Sequence, residues 1–140
     1  MKILLPVDGS DYTKRMLAYI AAHDELLGPG HEYVIVTAIP QIPAHASRFL
    51  DRSTIEDYYR SQAEEVLRPV LRFAEQQAWR IRATHVPGYA PDVIAAFATA
   101  EKPDLIVMGT HGHTSLGNVV LGSVATGVIA RCKVPVLLIH

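Results

Sequence analysis

Three glycines and a serine between residues 109 and 123 carry the most specific chemical pattern in the chain. Two residues separate Gly109 from Gly112, nine separate Gly112 from Gly122, and Ser123 follows at once, giving G-x2-G-x9-G-S. Glycine lets a backbone approach an anion closely and reach dihedrals closed to other residues. The first amides of a helix lack internal partners and lie at the positive end of its dipole. With a helix starting near Gly122, the pattern is a phosphate cradle. It is not a Walker loop, since no GK[ST] occurs, and it is not the G-x-G-x-x-G of dinucleotide folds. No lysine lies in the loop. Phosphate charge must then be met by amides, by the helix dipole and by a divalent cation that prefers phosphate, carboxylate and water.

Asp8 is the acid best placed to share that task. It follows an apolar run, and a carboxylate there is costly to bury without a partner. A ribose hydroxyl or a magnesium ion would be one; capping of the turn or of the first helix is the alternative. His111 and His113 either contact phosphate, more strongly when protonated, or are solvated loop residues. A transition metal would need ligands that the local sequence does not supply. Cys132 reads as a small buried apolar residue. The chain has no G-x-S-x-G, H-E-x-x-H or C-x-x-C. Asp8-Gly9-Ser10 lacks the glycine-rich stretch of ATP pyrophosphatase loops. His111-Gly112-His113 follows the fourth strand, whereas the nucleotidyl-transferase triplet belongs after the first. No catalytic residue is assigned. Slow hydrolysis stays compatible, because magnesium and oriented amides polarise a bound phosphate.

The elements that must hold these residues are legible from periodicity. Residues 2–7, 33–38, 81–86, 104–109 and 134–139 read as strands, the fourth being a short apolar run between Pro103 and Gly109. Between them, Met16, Leu17, Ile20, Ala21 and Leu27 recur at helical spacing up to Gly28-Pro29-Gly30. Residues 39–52 read as a loop. Ser53-Thr54-Ile55-Glu56 reads as a capping box opening a helix to about Gln77, which Pro69 should kink or divide. Pro91 is expected at the first position of a helix ending near Ala100. Ser10 or Asp11 is expected to cap the first helix, and Val124, Val128 and Ile129 mark the last one.

Alternating strands and helices mean βαβ units, hence a single-domain three-layer α/β/α fold around a five-stranded parallel sheet. Right-handed crossovers leave two common orders, 3-2-1-4-5 and 2-1-3-4-5. Ligands bind outside the carboxyl ends of the strands where the order reverses. The first order puts that point between strands 1 and 4, beside both Asp8 and Gly109. The second leaves the Gly109 loop off the site, so 3-2-1-4-5 is expected.

Composition sets outer bounds. Thirteen basic and 14 acidic residues leave a net charge of −1, with the basic residues scattered. No basic stripe marks a nucleic-acid partner. The single cysteine rules out an internal disulfide and suits a reducing, cytoplasmic setting. The opening residues read as neither signal peptide nor membrane span. The last strand, Val134-Pro135-Val136-Leu137-Leu138-Ile139, is uncharged and lies at a sheet edge in the expected order. Edge strands are normally blunted by charge, as Arg82 and His85 do on the third strand. An unguarded edge suggests pairing with a second copy across a two-fold axis.

The opening KILLPVDGSD, the strand ending near residue 38, the glycine signature and the closing VPVLLIH together resemble the ATP-binding universal stress proteins along nearly the whole chain, residues 1–140. The resemblance implies the 3-2-1-4-5 fold, a homodimer through strand 134–139, and ATP, with or without magnesium, as ligand. It implies that Pro6, Val7 and Asp8 lie near adenine and ribose and that Ala38 offers backbone groups to the adenine edge. It places Met108, Gly109, Thr110, His111, Gly112, His113, Thr114 and Ser115 around ribose and phosphates, with Gly122, Ser123, Val124 and Ala125 supplying the helix start. Some members carry a hydroxyl residue where Ala125 stands. The expectation is a dimeric nucleotide-dependent stress sensor or regulator. The alternatives are a slow Mg-dependent ATPase or nucleotidyl-transfer enzyme, and a stress-linked dimer that binds no nucleotide.

Overall fold

The computed structural model describes residues 1–114 and 118–140. Ser115, expected at the phosphates, lies outside the described residues. Five parallel strands pair in the order β3-β2-β1-β4-β5. They are β1 (Lys2–Pro6), β2 (Glu32–Ile39), β3 (Arg80–Pro87), β4 (Leu105–Gly109) and β5 (Val136–Ile139). The helices between them are α1 (Asp11–Ala22), α2 (Asp24–Leu27), α3 (Ala44–Ser47), α4 (Arg52–Gln76), α5 (Ala90–Glu101) and α6 (Ser123–Arg131).

Side chains alternate across a strand, and the two faces of the sheet bury separate cores. Ile3, Leu5, Tyr33 and Ile35 pack under α1 and α4 with Met16, Ile20, Leu67 and Val70. Leu4, Val34, Val36 and Ile106 pack under α5 and α6 with Ile94, Ala98 and Val128. Trp79 belongs to the first core, its ring 5.0 Å from that of Tyr33. The Tyr33 hydroxyl donates to the carbonyls of Leu27 and Gly28, and burial pushes its pKa up to about 12. The pairing of β1 with β4 covers Ile3 with Leu105 and Leu4 with Ile106 and goes no further. A crevice therefore opens between their carboxyl ends, at the reversal of strand order.

Several boundaries differ from the sequence expectation. The first helix stops at Ala22 rather than at Gly28. His23 leaves helical geometry (φ −122°, ψ 51°), its ring stacked on Tyr19, and α2 restarts behind it. The expected loop 39–52 contains α3. The capping box gives way to Asp51, whose carboxylate accepts from the Thr54 amide at 2.8 Å and the Ser53 hydroxyl at 3.2 Å. Those bonds hold the Asp51 carboxyl below the usual range. Glu56 pairs instead with Arg52. Pro69 does not divide α4, which runs unbroken from Arg52 to Gln76. α5 starts at Ala90, one residue before Pro91. On the outer edge, Arg82 of β3 bridges Glu101 and Glu32, while β5 carries no charge. Among the described residues, no helix is long and apolar enough to cross a membrane.

Candidate nucleotide site

The turn after β1 fixes Asp8 by local bonds. Its Oδ1 accepts from the Ser10 amide at 2.9 Å and from the Thr13 hydroxyl at 3.0 Å, and its own amide donates to Thr13 Oγ1 at 3.2 Å. Ser10 occupies the N-cap of α1 but makes no side-chain cap bond, and its Oγ is buried without a partner among the described residues. The acid is thus oriented by the first turn of α1 rather than serving as its cap. Its second oxygen, Oδ2, faces the β4 loop. It lies so close to Gly112 that a Cβ there would collide with it. His113 closes the gap from the other side, donating from Nε2 to the Asp8 carbonyl at 2.6 Å.

The start of α6 is the second half. Gly122 is its N-cap, so Ser123 is the first helical residue rather than the cap. The Gly122 amide donates to the Thr110 carbonyl at 2.7 Å, which pins the helix start to the end of β4. A Cβ on Gly122 would stand 2.9 Å from Thr110 O and 3.1 Å from His111 Cα, both backbone atoms. Only glycine lets these segments meet. The first intrahelical bond to this cap comes from the Thr126 amide. The amides of Ser123, Val124 and Ala125 are the unpaired ones of a helix start, and their residues line the crevice. The Thr126 hydroxyl bonds back to the Gly122 carbonyl at 2.9 Å, so it does not replace a hydroxyl at Ala125.

Between these halves lies a cavity of about 480 Å³, lined from β1, β2, α4, α5, the β4 loop and α6. Pro6, Val7, Asp8, Ala38, Met108, Gly109, His111, Gly112, His113, Thr114, Gly122, Ser123, Val124 and Ala125 all line it. Thr110 does not. Its hydroxyl turns away, 3.0 Å from His111 Nδ1 and 3.1 Å from His140 Nδ1, in a second hollow beside Val119 and Val120. His111 is tied at its other nitrogen, 2.7 Å from the Val119 carbonyl. Both loop histidines therefore brace the loop.

Sequence reasoning missed the far wall: Thr37, Pro40, Gln62, Val66 and Ile94. A threonine inside the apolar run YVIVTAI was a signal. Nothing in the sequence placed α4 over the end of β2. Among the described residues, Asp8 is the one acidic residue lining the cavity, and neither lysine nor arginine lines it. Cys132 packs against the α5–α6 core, where burial raises its thiol.

A parallel βαβ sheet with a helix start opposite an acid at the strand reversal matches the place where open α/β sheets bind ligands. Comparison with known proteins gives it a family. The family model described as the universal stress protein family matches residues 1–140. The chain is 33% identical to universal stress protein MJ0531 of Methanocaldococcus jannaschii, over 99% of this chain and 81% of that protein. The solved structure of MJ0577, from the same organism, superposes with a TM-score of 0.81 at 26% identity, covering 99% of this chain and 94% of that one. A universal stress protein from Archaeoglobus fulgidus, solved in complex with dAMP, shares the fold with a TM-score of 0.70 at 24% identity, covering 100% and 98%. The chain belongs to the universal stress protein family.

Proposed function

We propose that residues 1–140 form one nucleotide-binding domain that takes an adenine nucleotide, ATP with or without magnesium, in the cavity between β1 and β4. The observation that carries this reading is the helix start of α6, whose unpaired amides face Asp8 across a cavity of about 480 Å³. That volume falls within the range of about 300–1,000 Å³ typical of small-molecule sites. The phosphates lie against the amides of Ser123, Val124 and Ala125 and the loop from Gly109 to Thr114. The ribose hydroxyls donate to the Asp8 carboxylate. The base lies over the end of β2 near Ala38. The dAMP complex of the Archaeoglobus protein supports adenine nucleotides as the class to test. With no lysine or arginine at the cavity among the described residues, a magnesium ion shared by phosphates and water would supply the missing positive charge.

The protein acts in this reading as a nucleotide-dependent sensor or regulator in the cytoplasm, dimeric through the uncharged edge of β5. Half-buried Val136, Leu137 and Leu138 on that edge support pairing with a second copy. A thermal melt with Mg-ATP tests the ligand. Nucleotide at 100 times its dissociation constant stabilises by about 2.7 kcal/mol, which raises Tm by roughly 9 °C in a chain of this length. An unmoved Tm with ATP, ADP and AMP, together with flat calorimetry, rejects the reading.

A further inference from the structure

His111 lines the cavity, yet both of its ring nitrogens are already bonded to the protein. A Cβ built on Gly122 would lie 3.6 Å from His111 Cδ2, so the imidazole sits against the start of α6. Nε2 is 2.7 Å from the Val119 carbonyl, and Nδ1 is 3.0 Å from the Thr110 hydroxyl. The same hydroxyl is 3.1 Å from Nδ1 of His140, just past the end of β5. Thr110 is buried between the two rings, whereas His140 is exposed.

These contacts fix the order of the protons. A carbonyl only accepts, so His111 Nε2 carries a hydrogen. In the neutral ring Nδ1 is then bare, and the single Thr110 hydroxyl proton points at it. Thr110 Oγ1 in turn accepts from Nδ1–H of His140. In the cationic ring the order reverses. His111 Nδ1–H donates to Thr110 Oγ1, and the hydroxyl proton turns to a bare Nδ1 on His140. All three bonds survive, and bonds made by the charged form favour it. The rings are 6.0 Å apart, so a charge on one disfavours a charge on the other.

The surrounding groups leave this pair as the cation nearest the phosphate seat. From α1, the Tyr12 ring lies 5.1 Å from His111 and 6.1 Å from His140, with the Arg15 guanidinium 5.1 Å over it. Asp11 and Lys14 pair with each other on the exposed face of α1. Asp8 stands across Gly112, with His113 bonded to its carbonyl. The first turn of α6 carries no ionisable side chain, and Arg131 at its far end is bonded to Asp92. Among the described residues, no lysine or arginine lines the cavity.

We propose that Thr110 and His140 are positioning residues that let His111 hold a proton beside the phosphates, so that nucleotide binding strengthens as pH falls; the inference rests on the nucleotide reading above. His140 Nε2 takes a proton from solvent. Its Nδ1–H then passes to Thr110 Oγ1 as the hydroxyl proton passes to His111 Nδ1, and the single positive charge moves from the end of β5 to the cavity wall. Histidine changes charge between about pH 5 and 8, which sets the range to scan.

Calorimetry with Mg-ATP and with adenosine at pH 6 and pH 8, beside nitrogen-15 imidazole spectra, tests it. In the free protein at pH 8, the spectra show His111 protonated at Nε2 and His140 at Nδ1. From pH 8 to pH 6, wild type gains at least about five-fold in Mg-ATP affinity relative to Thr110→Val, and adenosine shows no such gain. The phosphates' own ionisation near pH 6 is common to both proteins and cancels in the comparison. Thr110→Val sets a methyl group against His111 Nδ1 and holds the ring neutral. His140→Phe keeps a ring beside Tyr12, removes the acceptor and reduces the gain. Cooperative melts confirm that both variants fold. A wild type no more pH-dependent than both folded variants, or a His111 bare at Nε2, overturns the relay alone. Absence of any nucleotide binding by wild type at either pH overturns the nucleotide reading and the relay with it.

Discussion

Replacing Gly122 with alanine probes the anion seat with a single methyl group. The new Cβ would stand 2.9 Å from the Thr110 carbonyl oxygen and 3.1 Å from His111 Cα. Carbon contacts are comfortable at about 3.5 Å, so the segments must part by about half an ångström. Neither neighbour is a side chain that can swing aside. The Gly122 backbone itself is ordinary extended geometry (φ −70°, ψ 163°), so the effect is steric and not conformational. The separation stretches the 2.7 Å bond from the Gly122 amide to Thr110 and moves the amides of Ser123, Val124 and Ala125. Hydrogen bonds to charged groups contribute about 1.5–3 kcal/mol each. Misaligning the set should cost about 1.5–3 kcal/mol of phosphate binding, or roughly 10- to 150-fold. Stability should fall by only about 1 kcal/mol, near 3 °C in Tm for this length. Calorimetry with ATP and with adenosine separates the two halves of the ligand. ATP should weaken in Gly122→Ala while adenosine holds. Equal losses for both, or no loss for ATP in a folded variant, would refute the idea that this glycine serves the phosphates.

Other perturbations follow from the same geometry. Leu138→Lys puts a charge on the bare β5 edge and should yield monomers on a sizing column; a folded variant that elutes as a dimer would remove β5 as the interface. Tyr33→Phe loses the bonds to the Leu27 and Gly28 carbonyls and should cost about 1 kcal/mol at neutral pH. Because burial raises the Tyr33 pKa from 10.0 to about 12, the folded state keeps a proton that the unfolded chain releases. Wild type should therefore lose stability between about pH 10 and 12, and Tyr33→Phe should flatten that slope in a pH series of melts. Glu101 is held down to about 2, first by its hydrogen bonds from Arg82. Its contribution is present above the ordinary value near 4.5 and fades as pH falls toward 2. Glu101→Gln should melt lower than wild type at neutral pH and converge with it in acid; a gap that persists at low pH would contradict the pairing.

The sheet order was readable because motif and topology constrained each other. Asp8 and the Gly109 loop both had to face one crevice, and only a reversal between the first and fourth strands allows that. The glycine spacing could be read because each position is steric. Gly112 has no room beside Asp8, and Gly122 has none beside Thr110. Helix ends were less legible, since neighbouring residues competed for the same role. Asp51 took the cap that Ser53 could have held, and the Tyr19–His23 stack ended α1 before any glycine. Thr110 sits inside the signature, yet its hydroxyl bonds to His111 and His140 and not into the crevice. The far wall escaped notice altogether. Two of its residues, Gln62 and Val66, come from α4, and which inward-facing residue of a 25-residue helix meets the end of β2 depends on packing, not on local pattern.

The central claim is that backbone amides at the start of α6 seat the phosphates. A heteronuclear NMR titration with ATP and with adenosine observes those amides directly. The Ser123, Val124 and Ala125 resonances should move most, with those of Gly109 and Gly112, and more with ATP than with adenosine. Saturable binding that leaves these resonances in place and moves others instead would contradict the account.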